Sequence, residues 1–311
     1  MAMGAAAVLA ASPALAGRQY AIVATTGMIA DAAKVIGGDL VAVKGLMGPG
    51  VDPHAYRQTR SDIVAMTRAD LVLWNGLFLE AQMERFLLDL GGKRRVVAIG
   101  ESVPRELLLS HDTYEGRYDP HVWMNPGTWR FAVSAVAQAL VEMAPEHAEV
   151  FAANAGAYLA ELERAQVFVT GALATVPDGA RVLVTAHDAF NYFGRAYGFE
   201  VLGIQGISTE SEAGLARISN LVEVLVARGI GAVFVESSVS DRNVRALIEG
   251  AAAQGHDVRI GGQLFSDAMG PNDTYEGTWI GMIDHNATVI TGALGGDVMS
   301  GGMDGRLTAG M

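Results

Sequence analysis

At 311 residues, half of them hydrophobic and 18% charged, the chain is long enough for about two packed domains. Its net charge of −12 excludes the basic footprint that a nucleic-acid partner requires. It has no cysteine, which excludes disulfides, a thiolate nucleophile, a sulfur-ligated metal and a lipid anchor on an N-terminal cysteine.

The chain opens with MAMGAAAVLAASPALAGRQ, a run of small apolar residues broken at Ser12-Pro13 and closed by Ala14-Leu15-Ala16. This reads as a secretory signal over residues 1–16, with Gly17 first in the mature chain, although no Lys or Arg precedes the apolar run. The run is too short for a bilayer span, and no later segment reaches eighteen apolar residues, so the mature protein is expected to be soluble. Export without lipidation points to the periplasm of a double-membrane bacterium.

Short β-rich runs then alternate with amphipathic stretches. YAIVAT (20–25), LVAVKGL (40–46), LVLWNG (71–76) and VVAIG (96–100) read as strands of a first set. RVLVTA (181–186), EVLGI (200–204), AVFVE (232–236) and VRIGGQLF (258–265) make a second set. Alternation of this kind predicts an α/β fold of two βα lobes with mostly parallel sheets. Thr209 and Glu212 have the spacing of a capping box and predict a helix start there.

Between the sets, Phe151, Ala155, Tyr158, Leu162, Ala165, Val169 and Ala172 recur at spacings of four and three, one face of a helix. Pro145 and Pro177 suit its ends. The predicted organisation is a signal (1–16), an N-terminal lobe (17–144), one linking helix (145–177) about 48 Å long, and a C-terminal lobe (178–311). The competing reading is two shorter helices broken at Gly156 or Gly171.

The tripeptide Asp-Pro-His occurs twice, in GVDPHAY and YDPHVWMNP, in a chain with only seven histidines. Parallel βα sheets bind ligands beyond the carboxyl ends of their strands. His54 and His121 follow strands of the first set, and His187 and Asp267 follow strands of the second. If the lobes face one another, the four converge in the cleft. Three imidazoles and a carboxylate make a complete four-coordinate set for a divalent transition metal. The prolines before His54 and His121 stiffen the backbone that carries each ring. Asp52, Asp119 and Asp188 stand next to these histidines, where they could accept a second ring N–H. Glu236, ending AVFVE, competes with Asp267 for the carboxylate position; Glu210 and Glu212 read as helix-cap residues. His111, His147, His256 and His285 have no partner motif and read as ordinary polar residues.

These motifs, with TTGMIADAAKVIGGD, VTAHDAFNYFGRAYG, FVESSVS, LFSDAMG and TWIGMIDHN, resemble the zinc/manganese-specific solute-binding proteins of bacterial ABC importers, the ZnuA- and TroA-like branch. The resemblance covers nearly all of the mature chain. It implies two lobes joined by a long backbone helix, with metal ligands at His54, His121, His187 and Asp267. It also implies a permease in the inner membrane with its ATPase as partner, and a monomeric receptor; a periplasmic metallochaperone is a candidate for loading the site. The chain departs from the family in two places. The stretch SHDTYEGRYDP holds a single histidine where zinc receptors often carry a His-rich loop, and RQTRSD replaces the usual helix start after the first ligand.

Manganese receptors of this family often place Glu where His187 stands, so the nitrogen-rich set favours Zn²⁺, with Mn²⁺ the alternative. The function expected is capture and release, not catalysis. A zinc hydrolase is the rival from another class: without Asp267 as ligand, a three-histidine site with Asp188 or Glu236 as base would result. An adhesin role with a structural metal is the third reading. The rod-like helix predicts limited lobe closure, with release by movement of the His121 or Asp267 segment. Affinity is expected to fall as pH drops through about 6.5.

Overall fold

The structure, a computed structural model, describes residues 19–111 and 115–307. The secretory signal expected over 1–16 lies outside the described residues. All eight expected strands are present. In the first set β1 (Tyr20–Ala24), β2 (Val41–Gly45), β3 (Leu71–Trp74) and β4 (Val96–Ala98) pair in parallel in the order β2-β1-β3-β4. In the second, β5 (Val182–Thr185) pairs in parallel with β6 (Glu200–Gly203), and β7 (Ala232–Glu236) with β8 (Arg259–Leu264). All four residues of β3, LVLW, and of β5, VLVT, are buried. These two strands are covered on both faces, which is why they do not alternate; Thr185 is their one polar position.

The helices of the first lobe are α1 (Gly27–Gly37), α2 (Arg60–Arg68), α3 (Glu84–Gly91) and α4 (Pro126–Met143). The altered sequence RQTRSD turns out to be a working helix start. Thr59 caps α2 by accepting the Asp62 N–H, while the Asp62 carboxylate accepts the Thr59 N–H at 2.9 Å.

The linking helix α5 runs unbroken over Ala148–Ala174, through both Gly156 and Gly171. It is shorter than the 145–177 expected, about 40 Å at 1.5 Å per residue. Pro145–His147 form a separate 3₁₀ turn ahead of it, and Thr175 ends it before Pro177. Its buried stripe is Phe151, Ala155, Tyr158, Leu162, Ala165, Val169 and Leu173. Leu173 replaces the expected Ala172, which is half-buried. Each large side chain on that stripe contributes about 1.5–3 kcal/mol by leaving water.

The second lobe adds α6 (Asn191–Tyr197), α7 (Leu215–Arg228), α8 (Arg242–Ala253) and α9 (Trp279–Ala293). The capping box expected at Thr209 and Glu212 does not form, because α7 begins at Leu215 with Gly214 as its cap residue. The Thr209 hydroxyl is taken by Asp52 and the Glu212 carboxylate by Asn243. One hydrophobic core runs through both lobes around α4, α5 and α9. Asp31 on α1 accepts the Tyr158 hydroxyl from α5 and the Trp279 N–H from α9, each at 3.0 Å, so a single carboxylate ties both lobes to the linking helix. Among the described residues no helix is long and apolar enough to cross a membrane.

Candidate metal centre

Each predicted ligand sits beyond the carboxyl end of a strand. His187 lies two residues past β5 and Asp267 three past β8. His54 is carried on the loop between β2 and α2, and His121 opens the 3₁₀ turn Val122–Met124 that leads into α4. The His187 turn packs against β6 at Gly203, where a Cβ would lie 2.7 Å from the Asp188 backbone; only glycine allows that approach.

The structure brings all four together. One ligand atom from each of His54, His121, His187 and Asp267 lies within 4.8 Å of all the others, and all four residues are buried. His54 Nε2 is 3.2 Å from His121 Nε2 and 3.7 Å from Asp267 Oδ2. Asp267 Oδ1 is 3.3 Å from His121 Nε2, and Oδ2 is 3.1 Å from His187 Nε2. Four ligands at about 2.0–2.2 Å from a tetrahedral ion stand about 3.3–3.6 Å apart, so these separations are those of a coordination shell. His187 Nε2 and both Asp267 oxygens find no partner outside the cluster, so only one another or a cation can satisfy them.

Two of the rings are oriented from behind. Asp119 Oδ1 lies 2.7 Å from His121 Nδ1 and also accepts the His121 main-chain N–H at 2.9 Å. Glu236 does the same for His187: Oε2 is 2.6 Å from Nδ1, and Oε1 accepts the main-chain N–H at 2.8 Å. A proton on each Nδ1 leaves Nε2 as the lone-pair donor facing the centre. Glu236, the competitor for the carboxylate position, is thus a partner of His187 and stands behind the cluster. Asp52 accepts the His54 main-chain N–H at 2.9 Å, holding the loop instead of the ring.

The electrostatics are those of a site built around positive charge. Burial, together with the neighbouring His121 and His187, pushes His54 down to about 3, against the pull of Asp267. Burial opposes charge on His121 too, but Asp119 and Asp267 outweigh it and raise that ring to about 9. His187 is likewise raised well above its ordinary value, burial being overcome by Glu236 and Asp267. Burial would raise Asp267, yet His187 and His121 hold it well below the usual carboxylate range.

Of the remaining histidines, His111 is near enough to add to the charges that lower His54, and the other three make their contacts elsewhere. His256 Nε2 meets the Ile230 carbonyl and His285 Nε2 the Gln263 carbonyl, each at 2.8 Å, and His147 packs against Tyr20 and Phe151. The His111 N–H donates to the Arg117 carbonyl, beside a bridge between Ser110 and Tyr118. Glu210 and Glu212 cap no helix; they meet Gln82 and Asn243.

Three further side chains, Trp123, Asn191 and Tyr192, complete the centre through contacts between sequence-distant segments. The Trp123 indole N–H donates to the Ser266 carbonyl at 2.8 Å, joining the His121 segment to the Asp267 segment. Its ring lies edge-on to His121, at 5.2 Å between centroids. Asn191 on α6 donates to Asp119 Oδ2 at 3.1 Å, and the Tyr192 hydroxyl to the Asp119 carbonyl at 2.8 Å.

A two-lobed α/β protein with parallel sheets, a linking helix and a buried three-histidine, one-carboxylate cluster between the lobes belongs to the class of cleft-type binding proteins. Residues 22–293 match the family described as ZnuA, zinc-uptake complex component A, periplasmic, and the chain belongs to that family. It is 46% identical over 280 residues to the manganese-binding lipoprotein MntA of Bacillus subtilis, covering 90% of this chain and 91% of MntA. It is also 46% identical over 273 residues to the zinc-binding protein TroA of Treponema pallidum, covering 88% of each. The solved structure of the Treponema pallidum periplasmic zinc-binding protein TroA superposes with a TM-score of 0.86 at 45% identity, over 89% of this chain and 99% of that one.

Proposed function

We propose that this protein is a periplasmic receptor that captures a divalent transition metal, Zn²⁺, and delivers it to an ABC importer, a membrane permease driven by a cytoplasmic ATPase. One observation carries the reading: four buried donor atoms all within 4.8 Å of one another, with His187 Nε2 and the Asp267 oxygens lacking partners outside the cluster. His54, His121, His187 and Asp267 are the proposed ligands. With lobes over 17–144 and 178–311, each lobe supplies two of them. Four protein ligands fill the shell and leave no position for a catalytic water, which favours capture and release over hydrolysis. The lipoprotein name of MntA lends no support to the expectation of an unanchored chain.

Manganese is the second reading, favoured by a specific feature. The two Asp267 oxygens face different histidines, Oδ1 toward His121 and Oδ2 toward His54 and His187, and a bidentate carboxylate would give a fifth, harder donor. The relatives do not choose, since a protein named for zinc and one named for manganese are equally similar. Metal analysis of untagged protein, then competitive titration of Zn²⁺ against Mn²⁺ on the wild type and His187→Glu, decides. The wild type is expected to prefer Zn²⁺ by at least about tenfold, and the variant to narrow or reverse that preference, because carboxylate suits Mn²⁺ better than imidazole does. Equal or tighter manganese binding by the wild type would overturn the zinc assignment.

Proton competition gives a further expected result. The raised His121 holds a proton at neutral pH when no ion is bound, and metal must displace it. Apparent affinity therefore falls with falling pH by about tenfold per unit for each proton displaced. The decline begins near pH 9 and is well under way above the 6.5 of an ordinary imidazole. Zinc titrations between pH 6 and pH 9.5 check this; an affinity that is flat above about pH 7 contradicts it.

A further inference from the structure

The four proposed ligands are not held alike. His121, His187 and Asp267 form one hydrogen-bonded block, although they come from both lobes. Trp123 ties the His121 segment to Ser266, the neighbour of Asp267, and the Trp279 indole N–H donates to the Trp123 carbonyl at 3.1 Å. Asn191 and Tyr192, just after His187, bind Asp119, which in turn orients His121. Moving the His121 or Asp267 segment, as expected for release, would break this block.

His54 is secured differently. Its loop is fixed through Asp52, whose Oδ1 accepts the His54 main-chain N–H at 2.9 Å. The other oxygen of that carboxylate accepts the Thr209 hydroxyl at 2.6 Å, across the cleft from the segment between β6 and α7. Asp52 is held from both sides: a change at Thr209 reaches His54 through two hydrogen bonds without touching the ring.

We propose that Thr209 is a positioning residue of the metal centre: acting through Asp52 from the opposite lobe, it places His54 and sets how fast the ion leaves. The proposal rests on the metal-receptor reading above. Withdrawal of His54 opens the shell and leaves the three-ligand block intact, and the hydrogen bond between Thr209 and Asp52 is the latch that such a withdrawal must release. A part-buried hydrogen bond at 2.6 Å is costly to lose without a replacement partner, so its removal speeds release measurably.

The same segment makes a second contact across the cleft, Gln82 with Glu210, which involves neither Asp52 nor the His54 loop. It provides the control that separates positioning from general lobe docking. Full-length wild type, Thr209→Val, Thr209→Ser and Gln82→Ala are loaded with Zn²⁺, and its release to excess chromophoric chelator is followed by stopped flow. Thr209→Val is expected to release Zn²⁺ about tenfold faster, Thr209→Ser within about twofold of wild type, and Gln82→Ala likewise. Hydrogen exchange in Thr209→Val is expected to rise at residues 50–56 and stay unchanged at 119–124. Release from Thr209→Val at the wild-type rate overturns the proposal. So does equal acceleration by Gln82→Ala, or failure of the serine variant to restore the wild-type rate. A wild type that binds neither Zn²⁺ nor Mn²⁺ would instead sink the receptor reading itself.

Discussion

Asp267→Ala is expected to abolish tight metal binding, raising the dissociation constant by more than about a hundredfold. Loss of a partner that only supports a ligand costs about 10- to 100-fold, and Asp267 is itself proposed as a ligand. It is also the one carboxylate inside the cluster, with both oxygens within 3.7 Å of imidazole nitrogens. Without it, three buried imidazoles face a dication with no charge to neutralise it, and desolvating that ion becomes unfavourable. The metal-free protein changes as well, because Asp267 is one of the charges that hold His121 and His187 protonated. Isothermal titration with Zn²⁺ gives the affinity, and NMR of the imidazole protons shows whether those two rings titrate lower. Binding within about tenfold of wild type would remove Asp267 from the ligand set.

How much of this was legible in the sequence depends on the range over which each feature is decided. β3 and β5 were readable because strands covered on both faces carry near-continuous apolar runs, here LVLW and VLVT. His187 and Asp267 could be placed because they stand two and three residues beyond strand ends, where the chain has little freedom to redirect them. Asp119 was readable from adjacency, since Asp-Pro-His puts its carboxylate two residues from the ring that it orients. Local pattern misled where a distant partner won. Thr209 and Glu212 have capping-box spacing, yet Asp52, 157 residues away in sequence, takes the hydroxyl. Conversely, Thr59 and Asp62 do cap α2, with the shorter Asp reaching back where Glu or Gln is the usual choice. Trp123's bond to Ser266 spans 143 residues, and no periodicity or motif encodes such a pairing.

The lobe-to-lobe ties also bear on how the ion is handled. A helix running unbroken between the lobes, a core continuous around it and Asp31 joined to both Tyr158 and Trp279 resist large rotation of one half against the other. Mobility must then be local, and a ligand on a loop anchored through its main chain is better suited to it than ligands whose rings are clamped by carboxylates. If His54 is the ligand that withdraws, as proposed above, the clamped rings stay in place while its loop moves.

Glu236→Gln tests the clamp itself. The substitution keeps size and shape, so the main-chain N–H of His187 can still donate to the remaining amide oxygen. What changes is the group opposite Nδ1, which becomes an NH₂ donor in place of a carboxylate oxygen. To accept that hydrogen bond Nδ1 must give up its proton, and the neutral ring then carries its proton on Nε2, the atom that faces the cluster. The wrong tautomer blocks the metal although every proposed ligand is present. Zinc affinity is expected to fall by about 10- to 100-fold. The variant also loses one of the charges that raise the His187 pKa, so its metal-free form holds the His187 proton less tightly and releases fewer protons on binding zinc. Calorimetry in buffers of different ionisation enthalpy reads both quantities together. Unchanged affinity with unchanged proton release would mean that Glu236 merely fills space behind the ring, and that His187 is oriented by its turn alone.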